Sequence, residues 1–203
     1  MTYEYLLSGL PELKAGSDAP VSLEKLDELL DECLSASDKQ LLDLLRVPID
    51  AETLSTGLKA NNRFVRAWFA FNQDMNNVLV AQICRKHGFD VKQQIVGEGE
   101  VADQLRTHTT QKDFGLAEVM DDYQELLALA QIENLIEREK AMDAIRFEWL
   151  QAQTEFDFFS AEMVFAYYLE VVMLRRWSLL TIEEGERVFR ELVADMKKGI
   201  ILK

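Results

Sequence analysis

The sequence predicts an all-α fold, an elongated multi-helix bundle with one long bent or broken helix and a buried central helix near the C-terminus. Three observations carry this expectation. Proline and glycine are scarce, three and nine among 203 residues, whereas sheet proteins need turn residues at close intervals. Strong helix formers such as Leu, Ala, Glu, Lys and Gln dominate. The stretch from Gly115 to Leu180 contains no proline, and no glycine after its first residue.

The elements follow in chain order. Tyr3, Tyr5, Leu6, Leu7 and Leu10 form a compact apolar cluster ending in Pro11. It reads as a short strand or a docked extended segment, because periodicity does not discriminate over so few residues. Ala15 to Pro20 is a loop by composition. Ser22 is an N-cap for a helix through Leu34, with Leu23, Leu26, Leu29, Leu30 and Cys33 on one face. Ser37 and Gln40 fit a capping box for a short helix from Asp38 to Arg46, and Val47-Pro48 ends it.

Asn61 or Asn62 caps the next helix, which runs to His87 and stops at Gly88, a natural left-handed terminator. Phe64, Val65, Trp68, Phe69 and Phe71 cover more than half of its first turns, which predicts packing on two sides. Gly88 to Gly99 reads as loop or short extended structure, and Glu100 to Thr107 as a weak helix.

The long helical run starts near Asp113. Leu116, Val119, Met120, Tyr123, Leu126, Leu127 and Ala130 follow helical spacing. A second stripe, Leu135, Met142, Ile145, Trp149, Ala152 and Phe156, does not continue its phase, and Gln131, Asn134, Glu137 and Arg138 occupy the face the first would bury. One straight helix from Leu116 to Phe156 would span about 60 Å, against a diameter of roughly 40–45 Å for a compact chain of this size. The mismatch predicts an elongated molecule or a bend between Gln131 and Lys140.

Asp157 or Ser160 opens a helix that is apolar almost all round, with Glu162, Ala166 and Glu170 as a narrow polar stripe, as expected in the middle of a bundle. Thr181 and Glu184 form a capping box for a final helix that buries Ile182, Phe189, Leu192, Val193 and Met196 and closes at Gly199. The organisation expected is one all-helical domain over residues 1–203, or two lobes at 1–110 and 111–203.

Charge and composition exclude several classes of function. A formal net charge of −14 disfavours nucleic acid and anionic membrane surfaces, which both select cations; it favours a basic protein partner. The segment from Met163 to Leu180 is interrupted by Glu170, Arg175 and Arg176, so direct membrane insertion is not expected. The N-terminal residues lack the features of a signal peptide, and Cys33 and Cys84 lack metal-ligand spacing. Both point to a cytoplasmic chain with reduced, partly buried thiols.

The sequence carries no constellation of residues that catalysis or metal binding would need. His87 stands in Arg85-Lys86-His87, a cationic helix end that complements the helix dipole. His108 lies in a polar turn. A di-iron bundle needs Glu-x-x-His on two helices, and neither histidine has that glutamate. Glu137, Glu139, Glu148, Glu155, Glu162 and Glu170 read as solvated helix faces. No nucleophile elbow or phosphate loop is present. Trp149, Phe156, Phe158, Phe159, Phe165, Tyr167, Tyr168 and Trp177 read as core rather than pocket. The expectation is a chain that is not an enzyme and carries no catalytic, cofactor-binding or metal-binding residue.

The opening YEYLLSGLPEL, Tyr3 to Leu13, together with NNRFVRAWFAFNQDMNN, Asn61 to Asn77, and EFDFFSAEMVFAYYLEVVMLRRW, Glu155 to Trp177, resembles a small bacterial family encoded inside V-type (V/A-type) ATPase operons. The resemblance implies a non-catalytic component or accessory protein of that rotary ATPase. The implied role is similar to that of its socket protein, the C component (d in eukaryotic naming). The socket is all-helical and links the central stalk to the membrane rotor ring in proton or sodium transport. It is longer and three-lobed, and this chain departs from it in length. The implied partners are the stalk and ring subunits, and the implied location is cytoplasmic, held at the inner membrane through the complex. The alternative is a stand-alone helical adaptor or assembly factor that binds a protein partner. Candidate partner contacts are Gln131, Asn134, Glu137, Arg138, Lys140, Arg175 and Arg176, with the loop Gly88–Gly99 beside them.

Overall fold

The computed structural model describes residues 3–179 and Arg190. All regular structure among them is helical: α1 (Glu4–Ser8), α2 (Leu23–Cys33), α3 (Ala36–Arg46), α4 (Ala51–Gly57), α5 (Arg63–His87), α6 (Val91–Gln94), α7 (Glu100–Thr107), a 3-10 turn (Leu116–Glu118), α8 (Tyr123–Leu129), α9 (Leu135–Thr154) and α10 (Ala161–Leu179). The chain is an all-α multi-helix protein, as the sequence predicts. The final helix expected from Thr181 onward lies outside the described residues.

The helices group into two compact units. The first combines Met1–Ser35 with Leu150–Lys203, and the second is Ala36–Trp149. The first unit is therefore discontinuous in sequence, and residue 110 lies inside the second.

In the first unit α2 packs on α10. Ser22 caps α2 as expected, its Oγ accepting the Lys25 N–H at 3.3 Å. Leu26 and Leu30 are completely buried, and so are Phe165 and Val171 of α10. The N-terminal segment is docked, but α1 is a single helical turn rather than a strand. Its anchors explain why. The Tyr3 N–H donates to the Phe159 carbonyl at 2.7 Å, the Tyr3 hydroxyl accepts the Ser35 N–H at 3.1 Å, and Leu6 and Leu13 are buried. These fix the segment by its ends and side chains, and no strand edge among the described residues is there to pair with it.

The second unit is built on α5. Its N-terminus is capped by Asn62, whose Oδ1 accepts the Val65 N–H at 3.0 Å. Its C-terminus closes through Gly88 at φ 73°, ψ 23°, with the Phe89 N–H on the Cys84 carbonyl at 2.9 Å and the Gly88 N–H on the Arg85 carbonyl at 3.4 Å. This is the paired-bond C-terminal motif that favours glycine. Met75, Val78, Ala81 and Cys84 of α5 meet Val91, Leu105, Phe114, Leu116, Leu126 and Met142 in one core. The aromatic first half is packed on two sides, as expected. Trp149 of α9 stacks on Phe71 at 5.0 Å and tilts against Trp68 at 5.7 Å, while Phe69 presses on Gly57 of α4.

Several expectations are corrected. The third helix begins at Ala36, so Ser37 stands inside it rather than capping it. Two short helices, α4 and α6, occupy stretches without helical stripes; each starts at an aspartate, Asp50 accepting the Thr53 N–H at 2.8 Å and Asp90 the Lys92 N–H at 3.0 Å. The stretch Leu116–Ala130 is not one helix. Phe114 and Gly115 both take positive φ, 56° and 72°, which buries Phe114 and Leu116 together and leaves only a 3-10 turn before α8. The second stripe holds in its middle, where Met142 is buried and Ile145 packs on the same core. Its ends, Leu135 and Phe156, are 68% and 83% exposed, and Asp143, Phe147, Leu150 and Thr154 add a second buried row at i, i+4, i+7 and i+11.

Candidate functional site

The first unit holds a cavity of about 360 Å³. Three short pieces of chain make it: the end of α1 and the segment after it (Leu7, Leu10, Pro11, Glu12, Leu13), the end of α9 and the residue after it (Gln151, Thr154, Glu155) and one face of α10 (Met163, Ala166, Tyr167, Glu170). The α10 residues share a face because they recur at i, i+3, i+4 and i+7. That helix is placed by Ser160, whose Oγ accepts the Met163 N–H at 3.2 Å. The opposite wall is tied to it by the Tyr167 hydroxyl, which donates to the Pro11 carbonyl at 3.0 Å.

Glu170 is the buried carboxyl in the lining of this cavity. It is 8% exposed, and burial pushes its carboxyl up to about 7, with a hydrogen bond to Gln151 acting in the opposite direction. Tyr167 is pushed up to about 12 by burial and then by the charge of Glu170. Leu7, Leu10, Leu13, Met163 and Ala166 supply apolar wall, and the exposed Glu12 and Glu155 add two carboxylates. A cleft that sets apolar wall beside a buried carboxyl and two exposed ones suits a group with a hydrocarbon stem and a cationic tip. Among the described residues no group of three or more His, Cys, Asp or Glu side chains is placed to hold a metal ion.

A family model described as "Protein of unknown function (DUF2764)" matches residues 54–200. The chain belongs to this family. No curated protein and no solved structure matches the chain. The DUF2764 match takes in the α9 and α10 walls of the cavity, while the wall from Leu7 to Leu13 precedes it.

The partner contacts expected from the sequence fall in both units. Gln131, Glu137 and Lys140 are exposed in the second. Asn134 caps α9, its Oδ1 accepting the Ile136 N–H at 2.9 Å and the Glu137 N–H at 3.3 Å. Arg138 donates from Nε to the Ile132 carbonyl at 3.0 Å. Arg175 and Arg176 belong to the first unit; the charge of Arg175 helps to hold Glu24 below the usual carboxylate range, after hydrogen bonds to its own backbone and to Ser22. Arg176 lies 5.0 Å from the Trp177 ring. The Gly88–Gly99 loop is tied down, Asn77 and Arg106 bonding its carbonyls at Val96, Ile95 and Gly97.

The sequence places Glu170 in a solvated stripe, and the structure corrects this. The available signal is its isolation, since it is the single acidic residue between Met163 and Leu174. The aromatic group divides as well. Phe165 and Tyr168 are core, as expected, but Phe156 and Phe158 are 83% and 69% exposed, and Tyr5 is 96% exposed. Of the two thiols, both free, Cys84 is buried and Cys33 is exposed rather than partly buried. No helix among the described residues is long and apolar enough to cross a membrane.

Proposed function

We propose that the chain is a non-catalytic component or accessory protein of a V-type (V/A-type) rotary ATPase. It acts there as the socket does, linking the central stalk and the membrane rotor ring in proton or sodium transport. Its partners in this reading are the stalk and ring subunits, and it is held at the inner membrane through them. The observation that carries the reading is the exposure of Tyr5, Phe156 and Phe158. All three lie within three residues of the bond between Tyr3 and Phe159, on the two segments of the first unit that resemble the operon-encoded family. Large exposed aromatics on an acidic background are the composition of a protein-docking surface.

Affinity purification of the full chain from its native cell, followed by mass spectrometry, tests this. Stalk and rotor-ring subunits are expected in near-stoichiometric amounts. Absence of the chain from the purified intact ATPase overturns its assignment as a permanent component. Its appearance only on partly assembled complexes points to the assembly-factor alternative.

A further inference from the structure

We infer that the cavity between the Leu7–Leu13 segment and α10 receives a lysine side chain from a basic helical segment of a partner protein, with Glu170 pairing to its ammonium group. This goes beyond the assignment to a rotary ATPase and holds whichever complex the chain serves.

Shape and charge argue for that occupant together. Leu7, Leu10 and Met163 line the same cavity as a carboxyl that is 8% exposed, so a four-carbon stem has apolar wall beside the charge it would pair with. No lysine or arginine occurs in residues 3–13 or 151–163, which carry Glu4, Glu12, Glu155, Asp157 and Glu162. Among the described residues the Glu170 carboxyl has the Gln151 amide as its partner, and a buried carboxylate with no counter-charge is costly to the fold. Leucine or glutamine would be cheaper at a purely structural position, whereas an incoming ammonium supplies a counter-charge that the described residues do not. The negative charge of the whole chain, −14, steers such a segment inward.

The test uses the full chain and a fluorescein-labelled amphipathic peptide of roughly 18 residues, long enough to form a helix, built from Leu, Ala and Lys. Anisotropy at physiological salt is read for the wild type, for Glu170→Gln and for Glu28→Gln, an exposed site on α2. Glu170→Gln is expected to weaken binding at least about tenfold, as loss of a buried charge partner does, with Glu28→Gln within about twofold of wild type. Leu10→Trp, which adds bulk to a half-buried wall residue of the cavity, is expected to do the same as Glu170→Gln and guards against misfolding of one variant.

Calorimetry in two buffers adds a readout that loose surface adhesion does not move. Glu170 near 7, facing Glu12 and Glu155 from the other two walls and Tyr167 from its own helix, releases about half a proton when an ammonium pairs with it at pH 7. Equal affinity for wild type and Glu170→Gln, no proton release, or binding of n-butylamine without binding of the peptide overturns the inference. The outcome is independent of which ATPase subunits co-purify.

Discussion

Asn77 and Val96 are joined by two hydrogen bonds in opposite directions: the Asn77 Nδ2 donates to the Val96 carbonyl at 2.8 Å, and the Val96 N–H donates to Asn77 Oδ1 at 3.0 Å. A side-chain amide here replaces a neighbouring strand as partner for the backbone after α6. Asn77 is 3% exposed, so deleting its amide strands polar groups away from water. Asn77→Ala is expected to cost about 2–3 kcal/mol in urea denaturation, with faster amide exchange at Val96. A cost below about 0.5 kcal/mol would show that water replaces both bonds.

Gly57 ends α4 with the Phe69 ring against its Cα, and an added methyl would overlap that ring. Alanine ordinarily gains up to about 1 kcal/mol over glycine in a helix. Here Phe69 is 1% exposed and has no room to move, and overpacking costs about 1–3 kcal/mol. Gly57→Ala is therefore expected to lower the melting temperature. A higher melting temperature would mean that α4 shifts freely.

Arg85 ties the loop after α7 to α5. Its guanidinium donates to the carbonyls of Thr109, Gln111 and Lys112 and lies 3.5 Å from the Phe114 ring centroid. A lysine keeps the charge but not the planar fork. Arg85→Lys and Arg85→Met are expected to destabilise by similar amounts, about 2 kcal/mol, with proteolysis appearing between Thr109 and Lys112. Full rescue by lysine would show that charge alone matters.

Glu170 and Asp74 make stability depend on pH with one sign. Burial raises them to about 7 and about 6, above their values in the unfolded chain. Each then contributes stability that is complete below about pH 4 and lost as the pH rises through the folded value. Glu170→Gln removes the larger part. The variant is expected to match the wild type near pH 4 and to exceed it by on the order of 2–3 kcal/mol at pH 8, read from urea midpoints at the two pH values. A difference that does not change with pH would place the Glu170 carboxyl in water.

Much of the fold is legible in the sequence because its signals are local. Ser22 and Asn62 cap the helices they precede, Gly88 ends α5, and Glu100–Thr107 is a helix with the bounds expected. Those outcomes depend on hydrogen bonds within a few residues of each other. The broken phase between the stripes on either side of Gln131 likewise marks a real interruption, filled by the Asn134 cap. Tyr3 is not legible in the same way, because its partners, Phe159 and Ser35, are far away in sequence. Nothing local marks Phe114, because a positive φ at a bulky residue is held by burial, not by local preference.

The candidate site is the least legible part. The residues that the sequence favours for partner contact are exposed or occupied with capping and loop carbonyls, whereas Glu170, which it leaves to solvent, is buried. The sequence by itself determined that the chain is helical, where its best-capped helices begin and end, and that its surface is acidic. Only the tertiary structure decided which residues close the first unit, that the long run also breaks between Phe114 and α8, and which side of α10 faces the cavity. A helix apolar nearly all round carries no internal marker of its outer face. The direction in which Glu170 is buried is set by the Leu7–Leu13 segment, far earlier in the chain and tied to α10 by the bond from Tyr167 to Pro11.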